Sequence, residues 1–116
     1  MSFEIKRGLV VEINWNPHRG SEQAGIRPAV IIQNDIGNKY SPTTIVAAST
    51  TAKMKAYPFV VHLEAGEAGL PEDSTINCSA ILTVDKTCIV KKYDSVSENK
   101  MKEIDRAILA SLGIKT

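Results

Sequence analysis

Cysteine is nearly missing from this sequence. Only Cys78 and Cys88 occur, ten positions apart, which fits neither CxxC metal binding nor the dense disulfide framework of a small secreted domain. They read as two reduced, mostly buried thiols. Nor is there an excess of charge of either sign: 14 basic residues stand against 13 acidic ones, a net charge of +1. A protein that grips duplex nucleic acid through bulk electrostatics is far more basic, so any nucleic acid must be met here by a local basic cleft. Aromatics are few, with two Phe, three Tyr and one Trp, which limits the platforms on which bases could stack. No apolar run approaches the ~18–20 residues of a membrane span, and the stretch from Met1 to Lys6 lacks the apolar core of a signal peptide. The expectation is a cytoplasmic protein with no membrane association.

The usual catalytic sets are absent as well. His18 and His62 fall in different elements, one reading as a solvated loop residue and the other as a sheet residue. The glycine-containing loop near residue 20 is not a phosphate-binding P-loop, because no Gly-Lys-Ser/Thr follows it. The carboxylates show no metal-ligand spacing. An enzyme built from this sequence is therefore expected to work with neither a metal nor another cofactor.

What is present is a regular alternation of short elements. At 116 residues the chain fits one domain, 1–116, and 43% hydrophobic residues suffice for a packed core. So small a domain leaves much apolar surface near the outside, which favours a homodimer. Leu9, Val11, Ile13 and Trp15 alternate with less apolar positions, the period-2 pattern of a half-buried strand that ends at Asn16-Pro17. Ala29–Ile32 is a second strand, closed by the turn formers Asn34-Asp35 and Gly37-Asn38. Thr43–Ala48, Phe59–Leu63, Ser74–Ile81 and Thr87–Val90 supply four more. Short strands divided by turns predict a small barrel, mainly β, rather than a parallel sheet. Near the C-terminus the period changes: Met101, Ile104, Ile108 and Leu112 lie three or four apart, one face of a helix. Ser95 or Ser97 is placed to cap it, Glu98 suits its first turn, and Gly113 is placed to end it.

Arg19 and Arg27 bracket the glycine-containing loop, and Arg27 precedes Pro28, which holds it extended where the chain enters a strand. A guanidinium offers five donors in a rigid fork that suits phosphate oxygens. On composition alone both arginines could equally be ordinary surface residues.

A resemblance adds to this. Arg7-Gly8, Asn16-Pro17 and the string Gly20-Ser21-Glu22-Gln23-Ala24-Gly25-Ile26-Arg27-Pro28-Ala29-Val30 resemble the opening of the MazF/PemK toxins. Ile45-Val46-Ala47-Ala48-Ser49-Thr50-Thr51, Tyr57-Pro58-Phe59, Thr83-Val84-Asp85-Lys86 and Ser111-Leu112-Gly113 follow in the same order. The similarity runs from about residue 6 to residue 114. It implies a compact SH3-like β-barrel with a C-terminal helix, a homodimer, and an endoribonuclease toxin of a toxin–antitoxin pair. The implied reaction is sequence-specific cutting of single-stranded RNA, such as mRNA, by the ribose 2′-hydroxyl, leaving a 2′,3′-cyclic phosphate and a 5′-hydroxyl.

The family's catalytic arginine falls on Arg27 and its catalytic threonine on Thr50. Glu22 matches the glutamate beside the cleft, where it either orients Arg27 or accepts a proton, or else stabilises the loop. An arginine, with a pKa above about 12, is a poor base, so Arg27 serves as charge stabiliser or proton donor. Arg19, Ser21, Gln23, Thr51 and Tyr57 are the candidate RNA contacts; for Trp15 a core or interface role weighs more. The implied partner is an acidic antitoxin laid over a basic cleft near Arg19, Arg27, Lys53 and Lys55, with DNA met only through that complex. One block departs from the family pattern: Ala80 stands where Gln is usual, which removes a possible base-reading amide. Two other functions fit the same barrel, a CcdB-like gyrase-binding toxin and a weakened or inactive RNA-binding barrel.

Overall fold

The structure, a computed structural model, describes residues 3–15 and 25–115. The strands are β1 (Leu9–Asn14), β2 (Ile26–Ile31), β3 (Thr43–Thr50), β4 (Val60–Leu63), β5 (Ser74–Asp85) and β6 (Ile89–Ser95); the helices are α1 (Asp35–Tyr40) and α2 (Glu98–Leu112). All strand pairs are antiparallel, in the order β4-β5-β3-β2-β1-β6. This is a curled six-stranded sheet, a half-barrel with a C-terminal helix, as the sequence predicts. No described helix is long and apolar enough to cross a membrane.

The sheet buries both faces, and period-2 alternation divides the residues between them. Val10, Val30, Ala47, Ile76 and Cys78 lie on one face, under Ile104 and Ala107 of α2. Val11, Ile13, Ala29, Ile31 and Val46 lie on the other, closed by Ile5 and Ile89 with Phe3 and Trp15 packed alongside. Leu9-Val10-Val11 is apolar without a break because neither face meets water there.

Several element boundaries differ from the sequence expectation. Asn34-Asp35 and Gly37-Asn38 form a short helix, not two turns. Asn34 is its N-cap, its side chain accepting from the Gly37 N–H at 2.8 Å, and Asn38 is buried inside a polar knot. Asn38 Oδ1 accepts from Thr44 Oγ1 at 2.7 Å and from Gln33 Nε2 at 3.0 Å. Turn-forming residue types thus act here as a cap and a buried bridge. Thr87 belongs to a 3-10 turn, Lys86–Cys88, so β6 starts two residues later and runs five further than read. In α2, Ser97 rather than Ser95 is the cap, accepting from the Lys100 N–H at 3.1 Å. Leu112 lies off the packed face and is exposed.

Arg7 fastens the two helices to the sheet. Its backbone N–H donates to Asp35 Oδ1 at 2.7 Å, its Nε to the Ile32 carbonyl at 2.8 Å, and its guanidinium to Asp105 at 2.5 Å. The Arg7 N–H and the Asn38 amide hold the Asp35 carboxyl below its ordinary pKa. Cys78 and Cys88 are both free thiols. Burial, with a smaller effect from Asp105, pushes the Cys78 thiol up to about 11.

Candidate active site

Two strands that pair in the middle of the sheet part at one end. β2 stays paired with β1 through Arg27 and Ile26, but its pairing with β3 stops at Ala29↔Ala48. The next residue of β2 toward its start is Pro28, which has no N–H to give to a ladder. Continued two residues further, the same register sets Arg27 across from Thr50. Both belong to the pleat face that carries Ala29 and Val46, so their side chains flank the opening.

The opening is a cavity of about 360 Å³ lined by Trp15, Arg27, Ala48, Ser49, Thr50, Asn77, Ala80 and Leu82. A second depression, about 490 Å³, shares Arg27, Ser49 and Thr50 and adds Ile26, Pro28, Thr51 and Ala52. Arg27 itself is exposed. Thr50 Oγ1 accepts from the Ala52 backbone N–H at 3.1 Å, which leaves the hydroxyl hydrogen for donation to another acceptor. Ser49 is buried, and its hydroxyl has no hydrogen-bond partner among the described residues.

β5 shapes the far wall through a bulge. Ala47 pairs with Ile81 and the adjacent Ala48 with Asn77, so residues 78, 79 and 80 have no partner on β3. Cys78 turns under α2, with its Sγ 4.0 Å from the Ile104 carbonyl. Ser79 is exposed, and Ala80 lines the cavity. Asn77 holds the bulge: its Oδ1 accepts from the Ser79 N–H at 3.0 Å and from Ser79 Oγ at 2.6 Å.

Of the residues singled out from the sequence, Arg27 and Thr50 are brought together. Thr51 borders the second depression, and Trp15 both packs on the core and lines the cavity beside Arg27 and Thr50. Lys53 lines a separate hollow with Thr51, Ala52, Met54, His62 and Asp73. Tyr57 lies outside the cavity, exposed and stacked on Phe59 with ring centroids 5.0 Å apart. Arg19, Ser21, Glu22 and Gln23, with His18, fall outside the described residues. Among the described residues no group of three His, Cys, Asp or Glu could hold a metal ion. The sequence reading missed Asn77 and Leu82 as cavity residues. No local pattern marks them, because the bulge decides which side chains of β5 face the cavity.

A half-barrel with a cationic donor and a hydroxyl at a parted strand pair defines a class, and comparison with known proteins supplies the family. Residues 6–112 match the family described as PemK-like, MazF-like toxin of type II toxin-antitoxin system, and the chain belongs to it. It is 49% identical over 113 residues to an Endoribonuclease MazF of Staphylococcus saprophyticus, covering 97% of this chain and 94% of that one. A second Endoribonuclease MazF, from Staphylococcus epidermidis, is 49% identical over 111 residues, covering 95% and 92%. Among solved structures, a mycobacterial endoribonuclease in complex with its cognate antitoxin superposes with a TM-score of 0.81 at 21% identity, covering 97% of this chain and 98% of that one. A chain of a MazE-MazF crystal structure from Deinococcus radiodurans gives 0.77 at 18% identity, covering 98% of this chain and 100% of that one.

Proposed function

We propose that this chain, an endoribonuclease toxin of its family, cuts single-stranded RNA at the parted end of β2 and β3 without a metal. The observation that carries the reading is the meeting of Arg27 and Thr50 on one pleat face at the mouth of one cavity. In the proposed reaction the ribose 2′-oxygen attacks the adjacent phosphorus as its proton leaves to a base. The O2′–P bond forms, the P–O5′ bond breaks, and O5′ takes up a proton. A 2′,3′-cyclic phosphate and a 5′-hydroxyl result.

In-line attack gathers negative charge on the non-bridging oxygens. A guanidinium already held at the strand mouth stabilises that charge as it develops. The Thr50 hydroxyl, its lone pair engaged by Ala52, is set to donate to the same phosphate. Glu22 is assigned to orient Arg27 or to take the 2′ proton, and Arg19, Ser21, Gln23, Thr51 and Tyr57 to hold the strand on either side. The partners that go with this reading are a second copy of the chain and an acidic antitoxin segment over the Arg27–Lys53 side. DNA would be met only through that complex.

The test is to incubate wild type, Arg27→Ala, Thr50→Ala and Glu22→Gln with a long RNA in EDTA and map the ends. Wild type should cut at a short motif and leave cyclic phosphate ends. Loss of Arg27 should slow cleavage by ~10²–10³, the typical cost of removing one such donor. Cleavage that requires a divalent ion would overturn the reading.

A further inference from the structure

The cavity beside Arg27 and Thr50 has a composition that the cleavage reaction does not call for. Apart from Arg27, Ser49 and Thr50, its walls are flat or small and apolar, formed by Trp15, Ala48, Ala80 and Leu82, with one amide side chain, Asn77. An apolar slot with one amide suits a nucleobase, whose faces are apolar and whose edge carries the hydrogen-bonding groups.

An asparagine ordinarily offers a base both a donor and an acceptor and can turn to suit either. Here the turn is blocked. A backbone N–H can only donate, so the atom that meets the Ser79 N–H is necessarily the oxygen. The Ser79 hydroxyl takes the second lone pair of that oxygen. What Asn77 has left for an occupant of the cavity is Nδ2, a donor.

We propose that this pocket selects a base next to the cleaved phosphate by its carbonyl group, with Asn77 as the reading residue. It takes uracil or guanine and disfavours cytosine or adenine. Uracil and cytosine differ at C4, and guanine and adenine at C6; in each pair the first has a carbonyl where the second has an amine. A fixed N–H donor bonds the carbonyl and opposes the amine. Ala80 leaves room for the ring. The inference rests on the proposed RNA cleavage for the identity of the ligand, but its test does not depend on the reaction.

The test measures binding of 2′-O-methyl heptamers, which lack the attacking hydroxyl. Oligo-U is compared with oligo-C, and oligo-inosine with oligo-A, by fluorescence anisotropy on wild type, Asn77→Asp and Ser79→Ala. Wild type should favour U over C and inosine over A by about tenfold, the size of one good base-edge contact. Asn77→Asp keeps an oxygen for Ser79 and presents a second oxygen in place of the amine, so both ratios should invert. Ser79→Ala removes one of the two bonds that hold the amide, and both ratios should fall toward one. Equal ratios in all three proteins, or no binding of any heptamer, would overturn the proposal. Failure of wild type to cut RNA in EDTA would instead overturn the proposed reaction and leave these ratios readable.

Discussion

Two neighbouring hydroxyls, Ser49 and Thr50, sit in opposite circumstances. Thr50 Oγ1 accepts from the Ala52 N–H, whereas the Ser49 hydroxyl is buried with no partner among the described residues. A buried polar group left unpaired costs roughly 1–3 kcal/mol. Ser49→Ala removes that group without opening a cavity. Its urea unfolding midpoint, followed by the fluorescence of the single tryptophan, should therefore equal or exceed that of wild type. A clear fall in the midpoint would mean that the hydroxyl is satisfied in the folded state. The residues of the site differ in how far the sequence discloses them. Arg27 and Thr50 are 23 positions apart, and only family resemblance joins them in the sequence; the β2–β3 register then explains why they meet. Asn77 cannot be found that way, because its place depends on three residues of β5 that have no partner on β3.

Among the elements, α2 was the most legible. Its apolar spacing, its Ser97 cap and its terminating Gly113, in the left-handed region at φ 71°, all agree with one helix. The period does not say which apolar residues are covered. Ile104 is fully buried over β4 and β5, whereas Leu112 is exposed in the last turn. Ile104→Ala should lower stability by about 2–5 kcal/mol, and Leu112→Ala by no more than ~0.5 kcal/mol. Denaturant titration of both variants checks the contrast, and equal losses would contradict the packing. In the sequence, helix α1 looks like two turns because Asn, Asp and Gly serve turns and helix caps alike. What decides for a helix is the burial of Asn38 among Gln33, Thr44 and the Lys86 ammonium, a contact spanning 48 positions that no local pattern reports.

For the molecule as a whole, a sheet that buries both faces uses most of its apolar residues internally, yet not all. Ile36, Tyr40, Leu82, Val90, Leu112 and Ile114 are exposed. A domain of 116 residues buries only about two-thirds of the surface of its unfolded chain, so covering some of the remainder with a second copy is the economical arrangement. Sedimentation equilibrium at micromolar concentration should return twice the 12.6 kDa chain mass. A single-chain mass at that concentration would remove the homodimer from the reading. The half-barrel with its C-terminal helix was legible from strand patterning and resemblance together. The parting of β2 and β3 was not, since it needs both the absent N–H of Pro28 and the ladder position at which that absence falls.

The bulge of β5 has a consequence for how related toxins can diverge. Pairing with β3 is regular on each side of residues 78–80 but shifts register across them, so an exchange of side chains at those positions leaves both stretches of the ladder as they are. The hydrophobic alternation of the sheet and the placing of Arg27 against Thr50 do not pass through it. If the proposed base-reading role of Asn77 holds, target choice could change through these three residues while the β2–β3 end that carries Arg27 and Thr50 stays as it is.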